Sequence, residues 1–178
     1  MRTAVFLDRD NTLIDNAGDL ADPSLVRLLP GAVGACERLA GAGFTLVVVS
    51  NQGVVARGGG SLREVEATND RVRALLTPPS ACRTLAEAFY FCPYHPLGTA
   101  ERFASEHPWR KPAPGMILAA ADELALDLPR SWFVGDAERD IRAATAAGIP
   151  PPRALLIGPD RPLADLAAAA EHILEQAP

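Results

Sequence analysis

The chain has 178 residues, 48% hydrophobic and 22% charged, which is enough apolar material for one well-filled core and too little for two ordinary ones, so a single domain spanning 1–178 is expected. A formal net charge of −5 excludes the broad basic face that nucleic-acid or anionic-membrane binding needs. No apolar run approaches the roughly 18 residues of a membrane span, the opening MRTAVFLDRD lacks a secretory core and cleavage site, and Cys36, Cys82 and Cys92 are odd in number and scattered, so a cytoplasmic monomer with neither nucleic-acid nor membrane partners is expected.

In chain order, TAVFLD is a short apolar run that ends in a polar motif, and FTLVVVSNQ is a second, too uniformly apolar for a half-exposed strand. Both read as buried strands of a parallel sheet. Between them LPGAVGACERLAGAG starts at Pro30, repeats apolar residues through Val33, Cys36 and Leu39, and stops at Gly41 and Gly43, predicting a helix. The next helix opens at Ser61, where SLRE has the capping-box form with Glu64, and Leu62, Val65, Val72 and Leu76 continue its buried stripe. EAFYFCPYHP reads as a third strand, and Leu97 to Arg110 as an irregular loop of the length that is usually functional or disordered. A helix from about Pro114 to Leu126, a strand in SWFVGD, a helix in ERDIRAATAAG, a strand in RALLIG and a closing helix ending in EHILEQ complete the pattern, with LTPPSA and GIPPPR as surface turns.

Strands alternating with helices predict an α/β fold with a doubly wound, mostly parallel Rossmann-like sheet and helices on both faces, and such folds bind ligands at the carboxyl ends of their strands. The polar residues fall there: Asp8 and Asp10 after the first strand, Ser50 and Asn51 after the second, Asp136 and Asp140 after the strand in SWFVGD. In FLDRDNTL, Asp8 and Asp10 project to one face and repel unless a cation or shared proton intervenes. With Asp136 they make a site suited to Mg2+, while Ser50 and Lys111 suit phosphoryl oxygens and Arg110 a second anionic group. Together these residues point to phosphoryl transfer. Taken singly, Asp136 reads as a helix cap, Asp140 as a first-turn acid, and Ser50 and Asn51 as turn residues.

The segments DRDNT, SNQ, RKP and GDAERD resemble, in order and context, the four motifs of the haloacid dehalogenase (HAD) superfamily of aspartate-nucleophile phosphatases, over Val5 to Asp140. FLDRDNTL, RLLPG, SNQGVVARG, CPYHP and RKPAPGM resemble more narrowly the branch that holds the heptose bisphosphate and histidinol-phosphate phosphatases, which lacks a large cap domain. The resemblance implies that Asp8 is the nucleophile, that Asp10 protonates the leaving alkoxide, later deprotonates water and so needs a raised pKa, and that Mg2+ is held by the side chains of Asp8 and Asp136 and the backbone carbonyl of Asp10. It further implies Ser50 and Lys111 on the transferring phosphoryl group, Asn51, Arg57 and Arg110 on the substrate, and Thr12 and Asp140 in support, Asp140 holding Lys111 or the metal's waters. The implied substrate is a small phosphorylated sugar, first a heptose 1,7-bisphosphate dephosphorylated at C7, with histidinol phosphate as runner-up.

The branch's heptose enzymes carry a C-x-H and later C-x-C zinc pattern in the loop. Here only Cys92 remains; Tyr94, His107 and Trp109 stand at the other positions, and Cys92, His95 and His107 offer three ligands where a structural zinc wants four. Zinc is not expected, the loop is expected to be ordered by Phe91, Tyr94, Trp109 and its prolines, and it is expected to line the substrate entrance. Two other classes share parts of the pattern: a signalling receiver domain, whose phosphorylated aspartate ends the third strand where this chain has CPYHP, and a non-catalytic phosphate-binding module, which would need neither Asp8 nor Asp10.

Overall fold

The computed structural model describes residues 1–16, 18–77 and 84–176; Cys82 and most of the LTPPSA turn lie outside them. Strands β1 (Ala4–Leu7), β2 (Thr45–Asn51), β3 (Ala86–Cys92), β4 (Trp132–Gly135) and β5 (Ala154–Leu156) form one sheet in the order β3-β2-β1-β4-β5, and every pairing is parallel. The helices between them are α1 (Ala32–Gly41), α2 (Leu62–Leu75), α3 (Gly115–Glu123), α4 (Glu138–Ala147) and α5 (Leu166–Glu175). Among the described residues no helix is long and apolar enough to cross a membrane.

The central strands read as unbroken apolar runs because both of their faces are covered. Alternate residues point opposite ways: Val5 and Leu7 of β1 with Leu46 and Val48 of β2 pack under α1 and α5 against Cys36, Leu39, Ala169 and Ile173. Ala4, Phe6, Val47, Val49 and Phe133 face Met116, Ile117 and Ala120 of α3 and Ala143 and Ala144 of α4. β3 is the sheet's edge and only its end residues Ala86 and Cys92 are buried.

Local chemistry sets the helix ends. α1 begins at Ala32 rather than Pro30, because Gly31 takes the left-handed conformation (φ 79°) that turns the chain into the helix. The capping box forms as expected: the Ser61 amide donates to Glu64 Oε2 at 2.7 Å and the Glu64 amide to Ser61 Oγ at 3.3 Å. On α2, Val65, Val72 and the capping Leu76 are buried, Leu62 only partly, and Thr68 and Asn69 share the buried stripe.

After β1 the chain moves outward through β2 to β3, then returns to lay β4 on the other side of β1. The strand order therefore reverses between β1 and β4, where a doubly wound sheet opens a crevice at its carboxyl edge. Asp8 and Asp136 are the first residues beyond those two strands.

Candidate active site

Asp8 is fixed by the sheet before its side chain does anything, since its amide donates to the Val134 carbonyl at 3.0 Å. The chain then turns sharply: Asn11 has φ 56°, a conformation that asparagine tolerates, and the Leu13 and Ile14 amides both donate to the Arg9 carbonyl, at 2.9 and 3.0 Å. This turn returns Asp10 toward the end of β2. Thr12, inside the turn, is fully buried, and its hydroxyl has no partner among the described residues.

The like charges of Asp8 and Asp10 are separated by giving each its own cation. Asp8 Oδ1 lies 2.8 Å from Lys111 Nζ, which also meets Asp140 Oδ1 at 2.7 Å and the Val49 carbonyl at 2.9 Å. Asp10 instead faces Arg9, with Nη2 at 3.1 Å from Oδ1, and accepts from Asn16 Nδ2 (2.7 Å), Ser50 Oγ (3.1 Å) and Gln52 Nε2 (2.8 Å). Burial pushes the Asp8 carboxyl up to about 7, with Lys111 pulling it down and Asp140 and Asp10 pushing the same way as burial. Burial also works against the charge on Lys111, yet Asp8 and Asp140 hold its ammonium above the ordinary lysine value.

Asp10 is shifted the other way from the sequence expectation. Burial alone would raise its carboxyl, but Arg9, Asn16 and Gln52 hold it below the ordinary aspartate value. The resting site therefore keeps Asp10 ionised.

One oxygen each from Asp8, Asp136 and Asp140 lies within 4.8 Å of the others, and buried Asp136 Oδ1 has no hydrogen-bond partner. An unpaired buried carboxylate oxygen facing two more carboxylates fits a hard divalent cation. The Asp10 carboxylate is not part of this group, its oxygens being taken by the donors above. Asp140 owes its position to two features: its Oδ2 accepts from the Ala137 amide at 3.0 Å, and Gly135 leaves room for it, since a Cβ there would stand 2.6 Å from the Asp140 Cβ.

The raised Asp8 carboxyl links metal, pH and stability. The folded chain holds this proton more tightly than the unfolded chain, so without metal the folding stability is expected to fall as pH rises from the ordinary 3.8 toward about 7. A cation bound to Asp8 must displace the proton, so Mg2+ affinity is expected to weaken by up to about tenfold per pH unit as pH falls below about 7. Mg2+ titrations followed by thermal melting at about pH 5.5 and about pH 7.5 check both signs; equal affinities would contradict them.

Asn51, expected on the substrate, is bonded to the chain itself. Its Oδ1 accepts from the Lys111 amide and its Nδ2 donates to the Lys111 carbonyl, both at 2.9 Å, clamping the backbone that carries the lysine. A cleft of about 410 Å³ opens above Asp10, with Asn51, Arg57, His95, Arg110 and Arg139 among its walls. Arg57 is paired with Asp19, and Arg110 Nη1 donates to the Tyr94 carbonyl at 3.1 Å. His95 Nδ1 accepts from the Leu97 amide at 3.1 Å, and burial followed by Arg110 and Arg57 depresses its pKa, so it is neutral with its proton on Nε2. Arg9, Asn16, Gln52, Asn69 and Arg139 went unmarked in the sequence; the one available signal was a polar Asn69 in line with Leu62, Val65, Val72 and Leu76.

The three residues at the altered loop positions cluster. Tyr94 stacks on His107 with ring centroids 4.2 Å apart and planes 7° from parallel, meets Phe103 edge-on at 5.3 Å, and His107 meets Trp109 at 6.4 Å. His107 Nδ1 accepts from the Trp109 amide at 3.1 Å, and the loop is tied to the turn that follows β2 through the Thr99 and Ala100 amides, both 2.8 Å from the Ala56 carbonyl.

Paired carboxylates with separate cations, at the reversal point of a parallel sheet, mark the class as a phosphoryl-transfer hydrolase of the HAD type. A HAD-hydrolase-like family profile matches residues 108–151. The D-glycero-beta-D-manno-heptose-1,7-bisphosphate 7-phosphatase of Escherichia coli K12 is 37% identical over 147 residues, covering 82% of this chain and 75% of the relative. That of Rhodopseudomonas palustris is 39% identical over 151 residues, covering 84% and 81%. The crystal structure of the D,D-heptose 1,7-bisphosphate phosphatase from B. bronchiseptica, complexed with magnesium and phosphate, superimposes with a TM-score of 0.81 at 28% identity, covering 99% of this chain and all of that one. The chain belongs to the heptose-1,7-bisphosphate 7-phosphatase family of HAD-like hydrolases, and it is a phosphatase.

Proposed function

We propose that the protein removes the C7 phosphate of D-glycero-D-manno-heptose 1,7-bisphosphate through an aspartyl phosphate on Asp8, with Mg2+ as cofactor. The observation that carries this reading is the division of labour between two close carboxylates: Asp8 sits in the cation-binding group beside Lys111, and Asp10 stands outside it, held by Arg9, Ser50 and Gln52. The names of the relatives and the magnesium and phosphate of the B. bronchiseptica complex support it.

The Asp8 carboxylate attacks phosphorus, the bond from phosphorus to the sugar oxygen breaks, and the departing alkoxide takes a proton from Asp10. Asp10, ionised at rest, takes up that proton from solvent as the phosphate's negative charge arrives beside it. It then accepts a proton from the water that hydrolyses the acyl phosphate, restoring Asp8. Lys111 and Ser50 supply positive charge and a donor for the phosphoryl oxygens, and Asn51, Asp140 and the Val49 carbonyl hold the lysine. Asp8, Asp136 and the Asp10 carbonyl would hold Mg2+, which supplies charge neutralisation.

Arg57 and Arg110 suit the substrate's second phosphate, and Arg139 adds a third positive charge to the cleft. Histidinol phosphate, whose amine is cationic, is the less favoured substrate on that ground. Arg110→Ala is expected to raise KM for the bisphosphate about 10- to 100-fold, leaving kcat within about threefold and the C7 monophosphate little affected. Phosphate release from a panel holding both sugars and histidinol phosphate checks this; equal losses on mono- and bisphosphate would remove the arginine from the substrate. The loop is read as ordered by its aromatic stack without zinc, and the protein as a cytoplasmic monomer with buried free thiols at Cys36 and Cys92.

A further inference from the structure

Among the described residues Arg9 is the second largest side chain fully shut off from solvent, and the proposed reaction gives it no contact with substrate. A buried guanidinium must be paired and its donors used. Its Nε and Nη2 donate to Asp10 Oδ1 at 3.3 and 3.1 Å, and Nη2 reaches Asp10 Oδ2 at 3.3 Å. Its Nη1 donates to Asn69 Oδ1 at 2.8 Å, and Asn69, 6% exposed, sits in the buried stripe of α2. Asp10 is the one carboxylate that Arg9 meets among the described residues.

The two oxygens of Asp10 are consequently unequal. Oδ1 takes Arg9 Nε and Nη2 together with Asn16 Nδ2, and the guanidinium is locked from behind by α2. Oδ2 takes Ser50 Oγ and Gln52 Nε2 beside the longer contact to Arg9 Nη2, and Gln52 also donates to Ser50 Oγ at 2.7 Å. When Ser50 turns to a phosphoryl oxygen, Oδ2 loses a donor and keeps only Gln52 and the longer Arg9 contact, while Oδ1 keeps all of its donors.

We propose that Asn69 and Arg9 form a positioning clamp that fixes the rotation of the Asp10 carboxylate and aims its Oδ2 at the leaving oxygen. Neither residue touches the substrate; Arg9 acts through Asp10 and Asn69 acts through Arg9. The aim of the acid thus depends on a helix that supplies nothing else to the site. The inference rests on the reading of Asp10 as the acid, and the experiment separates the two.

A misaimed acid matters for an alkyl ester, whose alkoxide needs a proton, and matters little for p-nitrophenyl phosphate, whose phenolate leaves unprotonated. Leaving-group release in the first turnover is measured for a sugar phosphate and for p-nitrophenyl phosphate, in Asn69→Ala, in the water-excluding Asn69→Leu, in Asn69→Asp and in Asp10→Asn, each checked for folding by melting. Either apolar variant is expected to slow sugar release about 10- to 100-fold with half-saturation within about twofold, and p-nitrophenol release by less than about threefold. Asn69→Asp, which keeps the acceptor for Arg9, is expected to restore sugar release to within about threefold of the wild type. Asp10→Asn that slows both esters equally would remove Asp10 as the acid. Asp10→Asn that discriminates while the apolar Asn69 variants slow both esters alike, or neither, would overturn the clamp.

Discussion

Asp8→Asn is expected to abolish turnover, with kcat down by at least about 10⁴-fold on every phosphate ester, because Asp140, the other carboxylate on Lys111, is fully buried and held by the Ala137 amide. The same variant is expected to fold at least as well as the wild type without metal. Asp8 is 2% exposed, its burial already pushes the carboxyl up to about 7, and an asparagine oxygen can still accept from the Arg9 amide and Lys111. Removing the charge therefore relieves desolvation, while Lys111 keeps Asp140 as its counter-ion. Melting at pH 8 with phosphate release alongside tests both halves; a large drop in melting temperature would show that Asp8 is primarily a structural ion-pair partner.

Lys111→Met has the opposite signature, losing stability and activity together. Lys111 is the cation shared by Asp8 and Asp140, all three almost wholly buried. Deleting one partner of a buried ionic cluster costs about 3–5 kcal/mol. For a chain of this size that is a fall in melting temperature of roughly 6–20 °C. The deficit should grow as pH rises from 5 to 8, because at low pH Asp8 escapes its unpaired charge by taking up a proton. Added Mg2+ should return part of the loss, since a divalent ion between Asp8, Asp136 and Asp140 replaces the missing positive charge. The same substitution should lower kcat by about 10²- to 10³-fold through lost phosphoryl stabilisation. A deficit that does not vary with pH or Mg2+ would mean that the lysine's packing, and not its charge, holds the site.

The order of strands and helices was legible because the central strands are covered on both faces, which writes itself into FTLVVVSNQ as an unbroken apolar run, and because SLRE spells a capping box in four letters. The site's membership was legible for a related reason: strand ends converge, so Asp8, Ser50 and Asp136 had to be neighbours. What stayed hidden depends on rotamers and on which donor reaches which oxygen. Arg9 stands beside Asp8 and Asp10 in the chain, yet nothing in FLDRDNTL says that it turns inward to Asn69, 60 residues away. The expected rise in Asp10's pKa reversed because two segments, the turn that carries Arg9 and Asn16 and the chain after β2 that carries Gln52, bring donors to one carboxylate. Likewise Asn51 reads as a residue free for substrate until its amide is seen on both sides of Lys111's backbone. The start of α1 moved by two residues for a conformational reason, the left-handed turn at Gly31.

In the proposed reaction Asp8 carries the phosphoryl group. Asp10→Asn removes the base that would clear the intermediate, and with p-nitrophenyl phosphate it does not need the acid to form it. Acid quenching during turnover of this variant, followed by mass spectrometry of the peptide containing FLDRDNTL, should find a phosphoryl group on Asp8 in a large fraction of the protein. Release of p-nitrophenol with Asp8 unmodified, or with the phosphoryl group on another residue, would contradict the account.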